Sequence, residues 1–341
     1  MNVRTPERDV FGHTADGEPV LRLAISGGGL TASVLTWGAV IQDLRLAGHA
    51  PPLVLGFETF DPYPVHSPAF GATPGRCANR IADGRYTLDG VEVHLERNEQ
   101  GRTHLHGGSD NLAVRNWTLL DLASDRVTLG IRDPAGRAGY PGTCTVSATY
   151  HLRDAGTLSV TYEATTDAAC PVNLCQHSYF NLDGRADTLD HELRIAADHF
   201  LPTTPHQTPT GEVRAVAGTP FDFREPAPMR RHSDAGQVLF DHNFCLSAAR
   251  GPKRSVALAR SPHSGVCLEV RTTEPGVQFY AAPGLRVPVP GLEGRAYGPF
   301  AGFCLETQAW PDAVNHPGFP SAILRPGEVL RQETDYVFTR K

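Results

Sequence analysis

The sequence predicts an all-β protein, an antiparallel sandwich or barrel formed by one large domain over residues 1–341. Apolar and polar residues alternate with a period of two in many short runs, as expected for strands with one buried face. Helical periodicity is scarce, and 34 glycines and 28 prolines interrupt most windows that would hold a helix. Strand-like sequence patterns continue over the whole chain, and no change in these patterns marks a second domain.

The clearest predicted element is a hairpin over residues 85–95. Apolar and polar residues alternate on both sides of Asp89-Gly90, and an Asp-Gly pair between such runs is a strong hairpin signal. Two proline-rich stretches, 202–209 and 283–290, predict long connecting loops, which are a usual place for a binding site on a rigid β scaffold. The other predicted strands are short and rich in Val, Thr, Tyr and Phe: 126–132, 143–152, 157–165, 193–197, 266–272, 276–280, 303–307 and 335–339.

The composition argues against several classes of function. Hydrophobic residues make up 40% and charged residues 20% of the chain, and the formal net charge is -6, an ordinary balance for a globular protein. Basic residues are scattered, so we expect no nucleic-acid partner. The N-terminal residues lack an apolar signal core, and no apolar run approaches the roughly 20 residues that span a bilayer. We therefore expect no membrane partner and a cytoplasmic location.

The seven cysteines agree with that location. Their number is odd and no two of them form a C-x-x-C pair, which disfavours a disulfide framework or a zinc site. Most of them lie in apolar, strand-like runs. The sequence therefore predicts reduced and buried thiols.

His177 is the first candidate for chemistry. It stands in residues 173–184 between apolar neighbours and beside amide and hydroxyl side chains. Such a histidine can hold and release a proton near neutral pH at a fixed place. The alternative is a structural histidine hydrogen-bonded to Ser178 or Asn181. The density of polar groups around it favours a functional role.

Glu306 is the second candidate. It lies in an otherwise apolar, strand-like run close to Trp310. Partial desolvation would raise its pKa and make the carboxylate a better base near pH 7. The alternative is a glutamate paired with one of the many arginines. A sugar-binding cleft would also use the nearby tryptophan, although a tryptophan in the core is common.

Two further segments carry polar side chains. In residues 75–81, Asn79 and Arg80 would donate to a polyol, or an arginine would close the loop by pairing with a carboxylate. His104 and His106 share one face if their segment is a strand, which would suit a metal site of the cupin type. The two glycines that follow better suit close backbone approach to a ligand, with a histidine bonding either a substrate oxygen or a turn.

Taken in order, these segments resemble the aldose 1-epimerases, also called galactose mutarotases. The resemblance covers nearly the whole chain, and it is specific because many short sequence motifs occur in the right order and at the right spacing. The matching words are Gly75-Arg76-x-Ala78-Asn79-Arg80-Ile81, Leu105-His106-Gly107-Gly108, Gly139-Tyr140-Pro141-Gly142, His177-Ser178-Tyr179-Phe180-Asn181-Leu182, Pro209-Thr210-Gly211, Asp241-His242-Asn243-Phe244, Pro275-Gly276-Val277-Gln278, Leu305-Glu306-Thr307-Gln308 and Leu324-Arg325-Pro326-Gly327-Glu328.

The resemblance implies a large antiparallel β-sandwich of the galactose mutarotase type, with the active site in an open cleft. It implies an isomerase that interconverts the α and β anomers of free aldoses such as galactose and glucose, with no cofactor and no metal. By resemblance, Glu306 is the general base at the anomeric hydroxyl, His177 is the general acid at the ring oxygen, and His106 assists them. The positions that match sugar-binding residues of the family are Asn79, Arg80, Asp241 and Gln278.

The residue chemistry agrees with this activity, because one acid and one base on opposite sides of a sugar suffice for mutarotation. The chain also shows no P-loop and no Rossmann glycine pattern. The expected partner is a small sugar, and we expect a monomer or a homodimer. Two departures from the family pattern bear on substrate preference: Gln176 replaces the usual asparagine before the histidine, and residues 109–116 lack the usual Gly- and Phe-containing text.

Two alternatives remain open on the same fold. A hexose-6-phosphate 1-epimerase would need several arginines that converge on a phosphate, for which Arg76, Arg80 and Arg102 are available. A non-catalytic sugar-binding domain would need neither the acid nor the base, since a fold does not determine a function.

Overall fold

The computed structural model describes residues 7–67 and 69–340. Regular structure in these residues is almost entirely strand, and the one α-helix among them is the short α1 (Pro62–His66). The 3₁₀ turns in the same residues are Ala82–Gly84, Leu112–Val114, Arg137–Gly139, Leu292–Gly294 and Ala313–Asn315. The strands in chain order are β1 (Glu7–His13), β2 (Pro19–Gly27), β3 (Leu30–Leu35), β4 (Ile41–Leu46), β5 (Arg80–Ile81), β6 (Arg85–Leu88), β7 (Val91–His94), β8 (His104–Leu105), β9 (Thr118–Leu122), β10 (Arg126–Asp133), β11 (Cys144–Arg153), β12 (Thr157–Thr166), β13 (Cys170–Pro171), β14 (Glu192–Ile195), β15 (His199–Phe200), β16 (Arg214–Ala215), β17 (Ala227–Pro228), β18 (His232–Ser233), β19 (Gly236–Gln237), β20 (Asp241–Cys245), β21 (Arg254–Arg260), β22 (Val266–Thr272), β23 (Gly276–Tyr280), β24 (Cys304–Gln308), β25 (Ile323–Leu324) and β26 (Leu330–Arg340).

A nine-stranded antiparallel sheet forms one layer of the molecule. Its strand order is β17-β14-β21-β22-β26-β12-β11-β10-β9. Antiparallel pairing lets one face of each strand meet the core while the other meets solvent, which is the alternation seen in the sequence. On β11 the core-facing side chains are Cys144, Val146, Ala148, Tyr150 and Leu152.

Two smaller antiparallel sheets pack against this layer. They are the four-stranded sheet β1-β2-β3-β4 and the five-stranded sheet β16-β15-β20-β23-β24. A single hydrophobic cluster joins all three sheets, because it contains Leu23 of β2, Val146 of β11 and Phe279 of β23. The core therefore lies between the sheets, as in a β-sandwich.

The five-stranded sheet carries a polar face at β20, β23 and β24. Gln278 is paired with Glu306 across β23 and β24, and Asp241 is paired with Tyr280 across β20 and β23. Paired residues lie on the same face of a sheet, so these side chains and Cys304 project to one side. On the opposite face, Phe244, Val277, Phe279 and Leu305 join the core, and every residue of β24 is buried.

Residues 171–182 are buried without being part of a long strand. Buried backbone groups must find hydrogen-bond partners, and this segment finds them in neighbouring loops. The backbone N–H of His177 donates to the carbonyl of Ala72 at 2.9 Å, and its carbonyl accepts from Gly71 at 3.1 Å. The Gln176 side chain adds a bond from Nε2 to the Gly71 carbonyl at 2.6 Å. These bonds fix the position of His177 relative to the loop before β5.

The predicted strands are confirmed. The hairpin is β6 and β7 with Asp89-Gly90 at its turn, and the other predicted runs fall on β10, β11, β12, β14, β22, β23, β24 and the second half of β26. The sequence does not predict β1 to β4, where β-bulges at Val10/Gly12 and Ser33/Val34 interrupt the alternation. All seven cysteines are free thiols, and six of them are buried, as predicted.

Candidate active site

A cavity of about 650 Å³ opens above the polar face of the five-stranded sheet. It is bounded by that face, by the buried segment around His177, and by the loops around β5 and β8. Six of the seven predicted site residues line it: Asn79, Arg80, His106, His177, Asp241 and Glu306. The seventh, Gln278, lies just behind Asp241, and its Nε2 donates to Asp241 Oδ1 at 2.7 Å.

His177 and Glu306 face each other at the floor of the cavity. His177 Nε2 lies 3.6 Å from Glu306 Oε1, and the two residues are only 4% and 2% exposed. The other carboxylate oxygen, Oε2, accepts a hydrogen bond from the Cys175 thiol at 3.4 Å. An acid and a base are thus neighbours on one side of the cavity. The expectation that they lie on opposite sides of a substrate is wrong, because no sugar ring fits in a gap of 3.6 Å.

Burial controls the protonation of Glu306. Removal from water raises the pKa of this carboxyl group, and the positive charge available on His177 opposes that rise while the nearby Asp241 adds to it. A carboxylate with a raised pKa is a stronger base near neutral pH than an exposed glutamate. The environment of Glu306 therefore suits proton abstraction.

His106 lies beside His177, with the ring centroids 5.3 Å apart. The backbone N–H of Asn79 donates to His106 Nδ1 at 3.1 Å, so a neutral His106 carries its proton on Nε2. Burial, and then the charge available on His177, lower the pKa of His106 well below its usual value. His106 is therefore a neutral hydrogen-bond donor. Gly107 follows it because a Cβ there would lie 1.9 Å from the carbonyl oxygen of Gly75.

Arg80 and Asp241 form a charged wall of the cavity. Arg80 donates to both carboxylate oxygens of Glu99 at 2.8 Å, and its third nitrogen lies 3.5 Å from Asp241 Oδ2. Gln278 holds the other oxygen of Asp241. The network fixes donors and acceptors in place before a ligand arrives, which is how polyol hydroxyls are recognised with little loss of conformational entropy.

Residues 21–337 match the family model described as Aldose 1-epimerase. The chain belongs to the aldose 1-epimerase family. It is 43% identical over 341 residues to the galactose mutarotase of Homo sapiens, covering 97% of this chain and 98% of that protein. It is 42% identical over 339 residues to the galactose mutarotase of Rattus norvegicus, with the same coverage. It is 35% identical over 336 residues to the aldose 1-epimerase of Escherichia coli (strain K12), covering 95% of this chain and 96% of that protein.

Solved structures place the fold in the same family. An aldose epimerase homologue from C. elegans superposes with a TM-score of 0.88 at 30% identity, covering 94% of this chain and 99% of that one. Galactose 1-epimerase from Lactobacillus acidophilus superposes with a TM-score of 0.83 at 25% identity, covering 98% of each chain. The predicted all-β fold of the galactose mutarotase type is confirmed. No helix in residues 7–67 or 69–340 has the length and apolar character needed to cross a membrane.

His104 does not line the cavity described above. Strand β8 ends at Leu105, and His106 takes a left-handed backbone conformation with φ of 56°, so the two histidines do not project to the same side. His104 Nδ1 bonds the Glu96 carbonyl and Nε2 bonds the Tyr140 hydroxyl, each at 2.7 Å. The cupin-type metal site is therefore wrong, because both ring nitrogens of His104 already have protein partners.

Arg76 and Trp310, which the sequence offered as candidates for ligand binding, stabilise the fold instead. Arg76 is buried and pairs with Asp133, with Nε at 3.0 Å and Nη2 at 2.8 Å from Oδ2, so it is the loop-closing arginine. Trp310 packs on Phe319 and donates from Nε1 to the Pro275 carbonyl at 2.8 Å. It is not among the described residues that line the cavity.

Several residues that line the cavity were not predicted from the sequence. Trp37 and Tyr280 are half-buried aromatic side chains in its wall, and Gln207 comes from the proline-rich loop 202–209. Glu99 holds Arg80 from outside. Tyr280 alone had a local signal, since it follows Gln278 by two positions and therefore shares its face of β23.

Proposed function

We propose that this protein is an aldose 1-epimerase that interconverts the α and β anomers of free aldoses such as galactose and glucose. The observation that carries the proposal is the buried pair of His177 and Glu306, 3.6 Å apart at the floor of a cavity of about 650 Å³. Family membership and the names of the relatives, galactose mutarotase and aldose 1-epimerase, support the same activity.

Glu306 is the general base and His177 is the general acid. The Glu306 carboxylate takes the proton of the anomeric hydroxyl, O1, while the His177 imidazolium gives a proton to the ring oxygen, O5. The C1–O5 bond breaks, and C1 becomes the carbonyl carbon of an open-chain aldehyde. Rotation about C1–C2 presents the other face of the carbonyl to the C5 hydroxyl, and the two residues then exchange roles as the ring closes. Each proton transfer contributes roughly 10²–10⁴-fold.

The side-by-side arrangement fits this chemistry. O1 and O5 are bonded to the same carbon, so two neighbouring side chains reach both oxygens of one hemiacetal. His106 presents its Nε2–H to the same region and stabilises the charge that develops on oxygen. The remaining sugar hydroxyls bind Asn79, Arg80, Asp241 and Gln278, with the last acting through Asp241. No cofactor or metal takes part in any step.

The whole chain acts as one domain in this proposal. The cluster that forms the core contains residues from Leu23 of β2 to Phe338 of β26, and the cavity draws on loops from both halves of the sequence. We further propose a cytoplasmic monomer or homodimer.

Polarimetry of freshly dissolved α-D-galactose and α-D-glucose tests the proposal. We expect the protein to speed the approach to the equilibrium rotation, and Glu306→Gln, with the same fold, to lose most of that acceleration. A sugar-binding domain without catalysis would bind galactose but leave the rate at that of buffer, which would overturn the proposal.

The structure does not favour a hexose-6-phosphate substrate. Arg80 is the one arginine that lines the cavity among the described residues, and Glu99 and Asp241 already neutralise it. Arg76 is buried against Asp133, and Arg102 contacts His206 at the surface. Within the part of the chain that the structure describes, a phosphate in the cavity would therefore meet no converging arginines.

A further inference from the structure

We propose that the floor of the cavity is also a binding site for a thiophilic divalent cation such as Zn²⁺ or Cd²⁺, held by His177, Cys304 and Glu306, and that such a cation inhibits the enzyme. One donor atom from each of these residues lies within 4.8 Å of the other two, and all three residues are buried. The inhibition rests on the proposed function, whereas the binding of the cation does not.

Strand β24 creates the cluster. Cys304 and Glu306 are two residues apart, so their side chains project to the same face. His177 approaches that face from the buried segment, with Nδ1 at 3.7 Å from the Cys304 sulfur and Nε2 at 3.6 Å from Glu306 Oε1. Zinc bonds of roughly 2.0–2.3 Å in a tetrahedron place neighbouring ligand atoms roughly 3.3–3.7 Å apart. Shifts on the order of 1 Å in these side chains therefore allow one cation to bind all three donors: a single ring nitrogen of His177, the sulfur of Cys304 and a carboxylate oxygen of Glu306.

The donor set selects the class of metal. One thiol sulfur, one imidazole nitrogen and one carboxylate oxygen form a mixed set that suits Zn²⁺ and its thiophilic analogues. Mg²⁺ and Ca²⁺ prefer oxygen donors alone and would gain little from Cys304 or His177. Glu306 keeps Oε1 for the cation, because the Cys175 thiol already occupies Oε2.

The site has access and an open coordination position. His177 and Glu306 line the cavity, so a hydrated cation reaches them by the route that the sugar takes. Three protein ligands leave the fourth position of a tetrahedron for water or a sugar oxygen. On binding, the Cys304 thiol releases its proton to solvent, and the thiolate and the Glu306 carboxylate together balance the two positive charges.

Occupancy removes both catalytic groups at once. A cation uses the carboxylate that would take the proton of O1 and a nitrogen of the imidazole that would protonate O5. Sugar and cation also share the floor of one cavity. The cation is therefore expected to compete with the sugar rather than to assist the reaction.

Titration of the metal-free, full-length protein with Cd²⁺ tests the binding. We expect the ultraviolet charge-transfer band of a cadmium thiolate to saturate at one equivalent and to disappear in Cys304→Ala. The matched control is Cys267→Ala, which removes a buried thiol of β22 outside the cavity and should keep the band. A wild-type protein without the band would overturn the proposal. A band that survives in Cys304→Ala would also overturn it, since another thiol such as Cys245 would then be responsible.

Two further measurements keep the outcome decisive. If thermal unfolding shows that Cys304→Ala does not fold, His177→Asn should weaken Cd²⁺ affinity by at least roughly tenfold, and unchanged affinity would overturn the assignment. In polarimetry, Zn²⁺ should inhibit wild type competitively with galactose and should not inhibit Cys304→Ala. A wild-type protein that binds one Cd²⁺ but never accelerates mutarotation would refute the proposed function alone.

Discussion

His104 and His106 are two positions apart in one segment, but they differ in what their second ring nitrogen meets. Both nitrogens of His104 bond protein groups, the Glu96 carbonyl and the Tyr140 hydroxyl. Among residues 7–67 and 69–340, a protein group bonds only Nδ1 of His106, which accepts from the backbone of Asn79, and the ring lines the cavity. The same residue type therefore builds the wall in one case and presents a donor to a ligand in the other.

Arg76 and Arg80 repeat this contrast in the preceding loop. Arg76 is 1% exposed and gives its guanidinium to Asp133 and to the carbonyls of Pro141 and Gly142. Arg80 is held by Glu99 but reaches the cavity at its edge. In each pair, one residue bonds protein groups away from the cavity, and the other lies in the cavity wall.

The largest expected effect comes from removing the base. Glu306→Gln should lower kcat for galactose by roughly 10²–10⁴-fold, because the amide cannot accept the proton of O1. The matched control is Glu274→Gln, a second buried glutamate, which pairs with Arg250 at 2.9 Å outside the cavity. That variant should lose stability and keep kcat. Equal loss of kcat in both variants would mean that the effect is structural and would remove Glu306 from its role.

The two histidines should separate catalysis from stability. His106→Asn should lower kcat by roughly 10–10²-fold with a small change in the free energy of unfolding, because it removes a donor at the reacting oxygens. His104→Asn should keep kcat and lose about 1–3 kcal/mol, because the Glu96 carbonyl and the Tyr140 hydroxyl would lose their buried partner. Polarimetry and urea unfolding of both variants provide the check, and the reverse pattern would contradict the assignment.

Arg80 should affect binding more than turnover. Arg80→Lys keeps the charge but loses the two parallel bonds to Glu99, so we expect KM for galactose to rise by roughly 10–100-fold with kcat nearly unchanged. Arg102→Lys, an exposed arginine four residues before His106, serves as the control and should leave both constants unchanged. A fall in kcat without a change in KM would place Arg80 in the chemical step instead.

The sequence was sufficient for the strands from β10 to β12 and from β22 to β24, and for six polar residues that line the cavity, but not for the mutual arrangement of those residues. Period-two alternation reports which face of a strand is buried, which is why Glu306 stands out as a carboxylate in an apolar run. The contact of Glu306 with His177 depends on the packing of β24 against a buried, irregular segment, and no local pattern encodes that distance. The position of Trp37 in the cavity wall could not be predicted either, because Trp37 lies in a loop that is remote along the chain and has an ordinary apolar sequence. Trp310 misled for the same reason, since proximity along the chain to Glu306 did not predict proximity in space.

The smallest expected effect is a pH dependence that distinguishes His104 from its replacement. Burial lowers the pKa of His104 from its ordinary value of 6.5, although the Glu96 carbonyl opposes the shift. Below pH 6.5 His104 therefore binds a proton in the unfolded chain but stays neutral in the folded protein. The contribution of His104 to the free energy of unfolding is complete above that pH and is lost as the pH falls towards the pKa of His104 in the folded protein. His191 and His242, whose pKa burial lowers to about 4, behave in the same way but are common to both proteins. The advantage of wild type over His104→Asn in urea unfolding should therefore shrink by up to about 1.4 kcal/mol per pH unit just below pH 6.5. An advantage that stays constant or grows as the pH falls would show that His104 is protonated in the folded protein, and that its bond to the Tyr140 hydroxyl is donated by the ring rather than received by it.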